Sequence, residues 1–250
     1  MAEPSEEEAH GARWERALLT LLLLSFFAGG YFAVAFASDS ARARALPLAL
    51  DGRIPFVPES VCVYVLVYSA VLSPLFLVRC RRLFRRTALS FALAIALALP
   101  CFLLWPVTSL GLRPPFETLD PSRFVEWGVM LLYTWDPPLN LFPSLHVALA
   151  ALAGLAAWKA QPAAGAVALP AVGMIGVSVC TVKQHFLVDV LAGAALALAI
   201  YAAVLRPYRA VGDAPTAYSW RGPLGFLALQ VALFVGAFVA FRSGFAPWSG

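Results

Sequence analysis

The sequence predicts an all-α fold: a polytopic membrane bundle with a six-helix core and a seventh span near the C-terminus. Three observations carry this expectation. Hydrophobic residues make up 61% of the chain and charged residues 13%, whereas a soluble domain runs at about 45–50% apolar and about 25% charged. Mean hydropathy is +0.80, and the apolar residues gather in runs close to the ~20 that cross a hydrocarbon core. The arginines cluster at the ends of those runs, as charges do when they orient helices in a bilayer.

The same composition excludes other classes. The formal charge of +4 is modest, and the basic residues do not interleave with aromatics as on a nucleic-acid surface, so no nucleic-acid partner is expected. Length leaves room for one helical membrane domain and little else. Cys62, Cys80, Cys101 and Cys180 form no close pair, which favours buried thiols over a disulfide framework or a metal site.

Residues 1–16 read as a polar cytoplasmic lead-in, residues 17–205 as the membrane domain, and residues 206–250 as a loop with an additional span. The run 17–37 ends in Ala35-Phe36-Ala37, which resembles a signal-peptidase site. Its core exceeds the ~7–15 residues of a signal sequence, and what precedes it is not net basic, so a retained span is expected. Further spans are expected over 61–78, 88–105, 145–158, 163–181, 186–205 and 224–241. Gly154, Gly165, Gly173, Gly176 and Gly193 are expected at close helix contacts.

Residues 106–143 interrupt the pattern, with Pro106, Pro114, Pro115, Pro121, Pro137, Pro138 and Pro143 preventing one continuous helix. Residues 124–133 suit an interfacial helix, and a loop of this length is more often functional than idle. Trp105, Trp127, Tyr133 and Trp135 read first as anchors at the membrane interface. If all seven runs cross, Arg13, Arg16, the arginines of 79–86, Lys159, Arg206, Arg209 and Arg221 fall on one side. The density of charge in the short 79–86 loop makes that side cytoplasmic. The N-terminus is then cytoplasmic, and His146 and His185 face the extracytoplasmic side.

Those histidines carry the chemical expectation. His185 and Asp189 stand four apart and share a helix face. Asp189 would accept the Nδ1 proton and leave Nε2 free as nucleophile or base, and a carboxylate inside a span points to function. Ser144, behind Pro143, suits the N-cap of the helix that carries His146. The free N–H groups there favour a phosphate, and His146 is placed to act as general acid. Arg113 and Lys183 supply cations for phosphate oxygens, with Arg123 a weaker candidate. Asp136 and Asn140 read as loop-shaping residues. The set suits phosphoryl transfer through a histidine, without metal or cofactor.

The motifs resemble those of the type 2 phosphatidic acid phosphatase (PAP2) superfamily across roughly residues 88–205. Arg113-Pro114 is similar to the end of the family's first motif, Pro143-Ser144-Leu145-His146 to the second, and His185 with Asp189 to the end of the third. Pro106 stands where the first-motif lysine is expected, Leu145 replaces a glycine, and Val179 stands at the third-motif arginine position while Ser178 fits. The second motif is similar to that of the inositol phosphorylceramide synthase branch. The resemblance implies a helical-bundle core and a lipid phosphatase acting through a phosphohistidine. Headgroup transfer with the same residues is the alternative, and a non-catalytic protein of the same fold is a third. A serine protease using Ser144 is disfavoured by the missing Gly-x-Ser-Gly setting.

Overall fold

The computed structural model describes residues 6–209 and 220–248. Helix α1 covers Glu6–Ala37. Its helix therefore starts inside the stretch expected as a lead-in, because the Glu, Ala and Arg residues there are strong helix formers. Three short helices follow, α2 (Val61–Tyr64), α3 (Leu66–Ala70) and α4 (Ser73–Leu77), where one span over 61–78 was expected. Ser69 and Ser73 turn their hydroxyls back to the carbonyls of Leu66 and Ala70, and Pro74 has no N–H to give. Both features compete with a continuous hydrogen-bond ladder.

Next come α5 (Arg81–Leu104) and α6 (Phe124–Trp135). The hairpin α7 (Leu145–Ala160) and α8 (Pro162–Thr181) is followed by α9 (Leu187–Ile200), which continues through a wider turn at Tyr201–Leu205. Helix α10 spans Arg221–Arg242. Most of the polar segment expected before it lies outside the described residues. Among the described residues, five stretches are long and apolar enough to cross a membrane: Arg13–Ala37, Arg81–Leu104, Pro162–Thr181, Leu187–Leu205 and Arg221–Arg242. They make this an integral membrane protein. Pro58–Ala70 and Leu145–Ala160 are apolar but shorter, so two of the seven expected spans do not reach that length.

Helix α7 lies at the centre. Leu145, Ala148, Leu149, Leu152 and Ala156 pack into a core shared with α1, α5 and α9. On the other side, Val147 and Ala150 join a second core built from α2, α3, α6 and α8. A helix apolar on all sides is one that protein surrounds. Its hairpin with α8 closes tightly, because a Cβ on Gly165 would stand 2.4 Å from Trp158 Cα. Gly154 is also tight against α8, whereas Gly173 faces open space and Gly176 makes only ordinary contact.

The end of the bundle away from His146 is basic. Glu15 pairs with Arg81 and Arg85, and Lys159 donates to the Arg206 carbonyl. At the end where α7 begins, loops knit the helices together. Arg44 and Pro106 are joined through backbone groups, and Asp51 accepts from Leu187 N at 2.8 Å, capping α9 from a distant loop. Helix α6 is more buried than an interfacial helix: Trp127 and Tyr133 lie inside the protein while Trp135 is exposed. Cys180 is buried, and Cys62, Cys80 and Cys101 are half-buried thiols.

Candidate active site

Two helix beginnings meet to make the site. Ser144 caps α7, its hydroxyl accepting from Val147 N. Its own N–H donates to the Asp189 carbonyl at 3.0 Å, which ties the start of α7 to the first turn of α9. Gly193, one turn further along α9, permits the approach: a Cβ there would stand 2.3 Å from the Ser144 carbonyl oxygen. In this way residues forty apart in sequence share one place.

The histidines meet directly. His146 Nδ1 lies 3.0 Å from His185 Nε2, and Ser144 Oγ is 3.3 Å from that same nitrogen. His185 Nδ1 faces Asp189 Oδ2 at 3.4 Å, and Asp189 Oδ2 also accepts from Phe186 N at 2.9 Å. With Asp189 taking the Nδ1 proton, His185 Nε2 holds a lone pair that the N–H of His146 can meet. His185, Asp189 and Ser144 are buried, so their polar atoms interact at low dielectric.

Asp136 was expected to shape a loop; instead it is the hub of a buried network. Tyr31 donates to its Oδ1 at 2.7 Å. Tyr64 donates to Oδ2 at 2.8 Å and Gln184 to the same oxygen at 3.1 Å. The Tyr64 hydroxyl also lies 3.2 Å from His146 Nε2, and Asp136 Oδ2 is 3.5 Å from that nitrogen. Asn140, with a left-handed backbone at φ 63°, donates to the Tyr31 carbonyl. Asp136 sits just past α6, and Tyr31 on α1 and Tyr64 at the end of α2 converge on it, with Tyr64 and Asp136 facing His146. Of the residues missed in the sequence, Gln184 adjoins His185, and Tyr64 with Tyr68 shows helical spacing; those were the available signals.

The expected cations divide. Arg113 joins the network by holding backbone: its Nη2 donates to the Asp136 carbonyl at 2.9 Å, Nη1 to the Tyr133 carbonyl and Nε to Ser109 Oγ. That uses three of its five N–H groups. Burial pulls its pKa below the ordinary arginine value, with the Asp136 carboxylate opposing. Lys183 sits in the turn between α8 and α9, but its amine is given to the Ile54 carbonyl rather than to the histidines. Arg123 is taken up by Glu126 and Glu59. Among the described residues, no group of three or more His, Cys, Asp or Glu side chains is arranged to hold a metal ion.

Fold and site together define an α-helical membrane protein with a carboxylate-backed histidine pair at one end of its bundle. The chain belongs to the PAP2 superfamily, whose family model matches residues 60–203. The match begins earlier than the motifs alone suggest and takes in Tyr64 and Tyr68. No curated protein and no solved structure matches the chain. Membership supports a phosphatase-type activity toward lipid phosphates at the level of the superfamily.

Proposed function

We propose that this protein hydrolyses a lipid phosphate monoester or pyrophosphate at the extracytoplasmic face of the membrane, through a phosphohistidine. His185 Nε2 attacks phosphorus, and the N–P bond forms as the P–O bond to the lipid breaks. His146 gives its proton to the departing oxygen. Water then attacks the phosphohistidine, returns a proton to His146 and releases phosphate. Ser144, with the N–H groups at the start of α7, and Arg113 receive the charged oxygens. Lys183 would join them only if its amine left the Ile54 carbonyl.

The observation that carries this reading is the 3.0 Å contact between His146 and His185 Nε2 with Asp189 on the opposite nitrogen. The support for sidedness is the density of arginines over 79–86 at the other end of the bundle, which the positive-inside rule favours on the cytoplasmic side. Headgroup transfer to a lipid alcohol is the second reading, and one feature favours it. Asp136 and Asp189 flank the histidines while the guanidinium of Arg113 is spent partly on backbone. Such a charge balance is kinder to a singly charged phosphodiester than to a dianionic monoester.

The test is phosphate release by the purified protein from a panel of lipid phosphates in detergent, with EDTA, beside His185→Ala. Release that persists in EDTA and falls about 10³-fold or more in the variant is expected. Headgroup exchange on adding a lipid alcohol, without release, would move the assignment to the transferase. Undiminished release by the variant would end both readings.

A further inference from the structure

We infer that Asp136 is a positioning residue for the acid step: it orients His146 and balances the charge of its protonated ring. The inference rests on the phosphohistidine reading and extends it to a carboxylate outside the motif residues. The contacts form a nearly mirror-symmetric chain. Asp189 backs the outer nitrogen of His185, the two histidines touch at 3.0 Å, and Asp136 with Tyr64 backs the outer nitrogen of His146.

Proton counting gives each partner a task. The Tyr64 hydroxyl spends its proton on Asp136 Oδ2 at 2.8 Å. Toward His146 Nε2 it therefore presents a lone pair, and the carboxylate stands behind it at 3.5 Å. That separation is an ion-pair distance rather than a hydrogen bond, and the hydroxyl bridges it. When His146 carries the proton it will deliver, both of its N–H groups thus have acceptors, His185 Nε2 on one side and the Tyr64–Asp136 pair on the other. Substrate phosphate displaces the first contact; the second stays and holds the ring as its Nδ1 proton passes to the leaving oxygen. Tyr31, Gln184 and the guanidinium of Arg113 fix Asp136 in turn, through its carboxylate and its peptide carbonyl. Other charged or titratable groups around His146 are Tyr68, whose ring packs edge-on, and the His185–Asp189 pair.

His146 also takes a proton when water resolves the phosphohistidine, a step that both probes share and that kcat/KM does not report. In kcat/KM, a residue that serves the acid step matters only when the leaving group needs a proton. Asp136→Asn in the full-length protein is therefore assayed on two probes, a dioctanoylglycerol phosphate, whose alkoxide must be protonated, and p-nitrophenyl phosphate, whose phenolate leaves unaided. The expected result is a loss of about 100-fold in kcat/KM on the alkyl ester and of at most about threefold in kcat/KM on the aryl ester. Tyr64→Phe, which keeps the ring and removes the bridging hydroxyl, shows the same pattern at about tenfold, and serves if Asp136→Asn does not fold. Equal losses on both probes would reduce Asp136 to a structural role, and no loss on the alkyl ester would remove it from the reaction. His185→Ala, run alongside, loses both activities. If it retains either, the phosphohistidine reading falls, and that failure is distinct from any behaviour of the Asp136 variant.

Discussion

Helices α7 and α10 are both apolar, yet they answer to different surroundings. Helix α10 has 22 residues, and none of its most apolar stretch is buried inside the protein. Helix α7 has only 16 residues, and Ala148, Leu152 and Ala156 are fully enclosed. An apolar cleft of about 410 Å³ runs between them, lined by Ala150, Gly154, Phe226 and Leu227 among others. Hydropathy and length find the helix that faces lipid. The helix that carries His146 is short and enclosed, and its polar beginning meets protein groups from α2, the end of α6 and the start of α9.

The largest difference should come from truncating each helix in turn. Leu152→Ala removes a fully buried side chain from α7, and a loss of about 2–5 kcal/mol is expected. Leu227→Ala, at a position 58% exposed on α10, should cost well under half of that. Unfolding of both variants in a denaturing detergent series checks the pair, and equal losses would erase the distinction between the helices.

Glycines sharpen the contrast with a smaller expected effect. Gly193→Ala places a methyl against the Ser144 carbonyl oxygen, so about 1–3 kcal/mol of overpacking is expected, with activity reduced as the start of α7 moves. Gly236→Ala on α10 meets nothing within 4 Å and should be neutral or gain up to about 1 kcal/mol from helix propensity. Thermal melting and phosphate release on both variants read the two effects together. A neutral Gly193→Ala would mean that the approach of α9 to Ser144 is looser than drawn.

What was legible in the sequence follows the same division. Spans against lipid announce themselves by composition, and His146, His185 and Asp189 announce themselves by type and spacing in an apolar setting. The contacts of Asp136 with Tyr31 and Tyr64 span separations of 105 and 72 residues, and no local periodicity encodes such a meeting. Pro137-Pro138 beside Asp136 suggested a turn, which hid a buried carboxylate. The three-part break over α2–α4 was hidden for another reason. Valines and leucines gave residues 61–78 the hydropathy of a span, while the break before α4 goes with serine back-bonding and one proline. Lys183 shows the converse: nearness in sequence to His185 suggested a phosphate ligand, and its left-handed backbone at φ 58° accompanies an amine turned to Ile54.

If His185 becomes covalently phosphorylated during turnover, rapid-quench labelling will trap it. Wild-type protein is mixed with a ³²P-labelled diacylglycerol phosphate, quenched within a turnover and divided between acid and alkali. A protein-bound label that is lost in acid, survives alkali and is absent from His185→Ala is expected. An acid-stable label, or steady turnover with no label at any quench time, would rule out a phosphohistidine at His185.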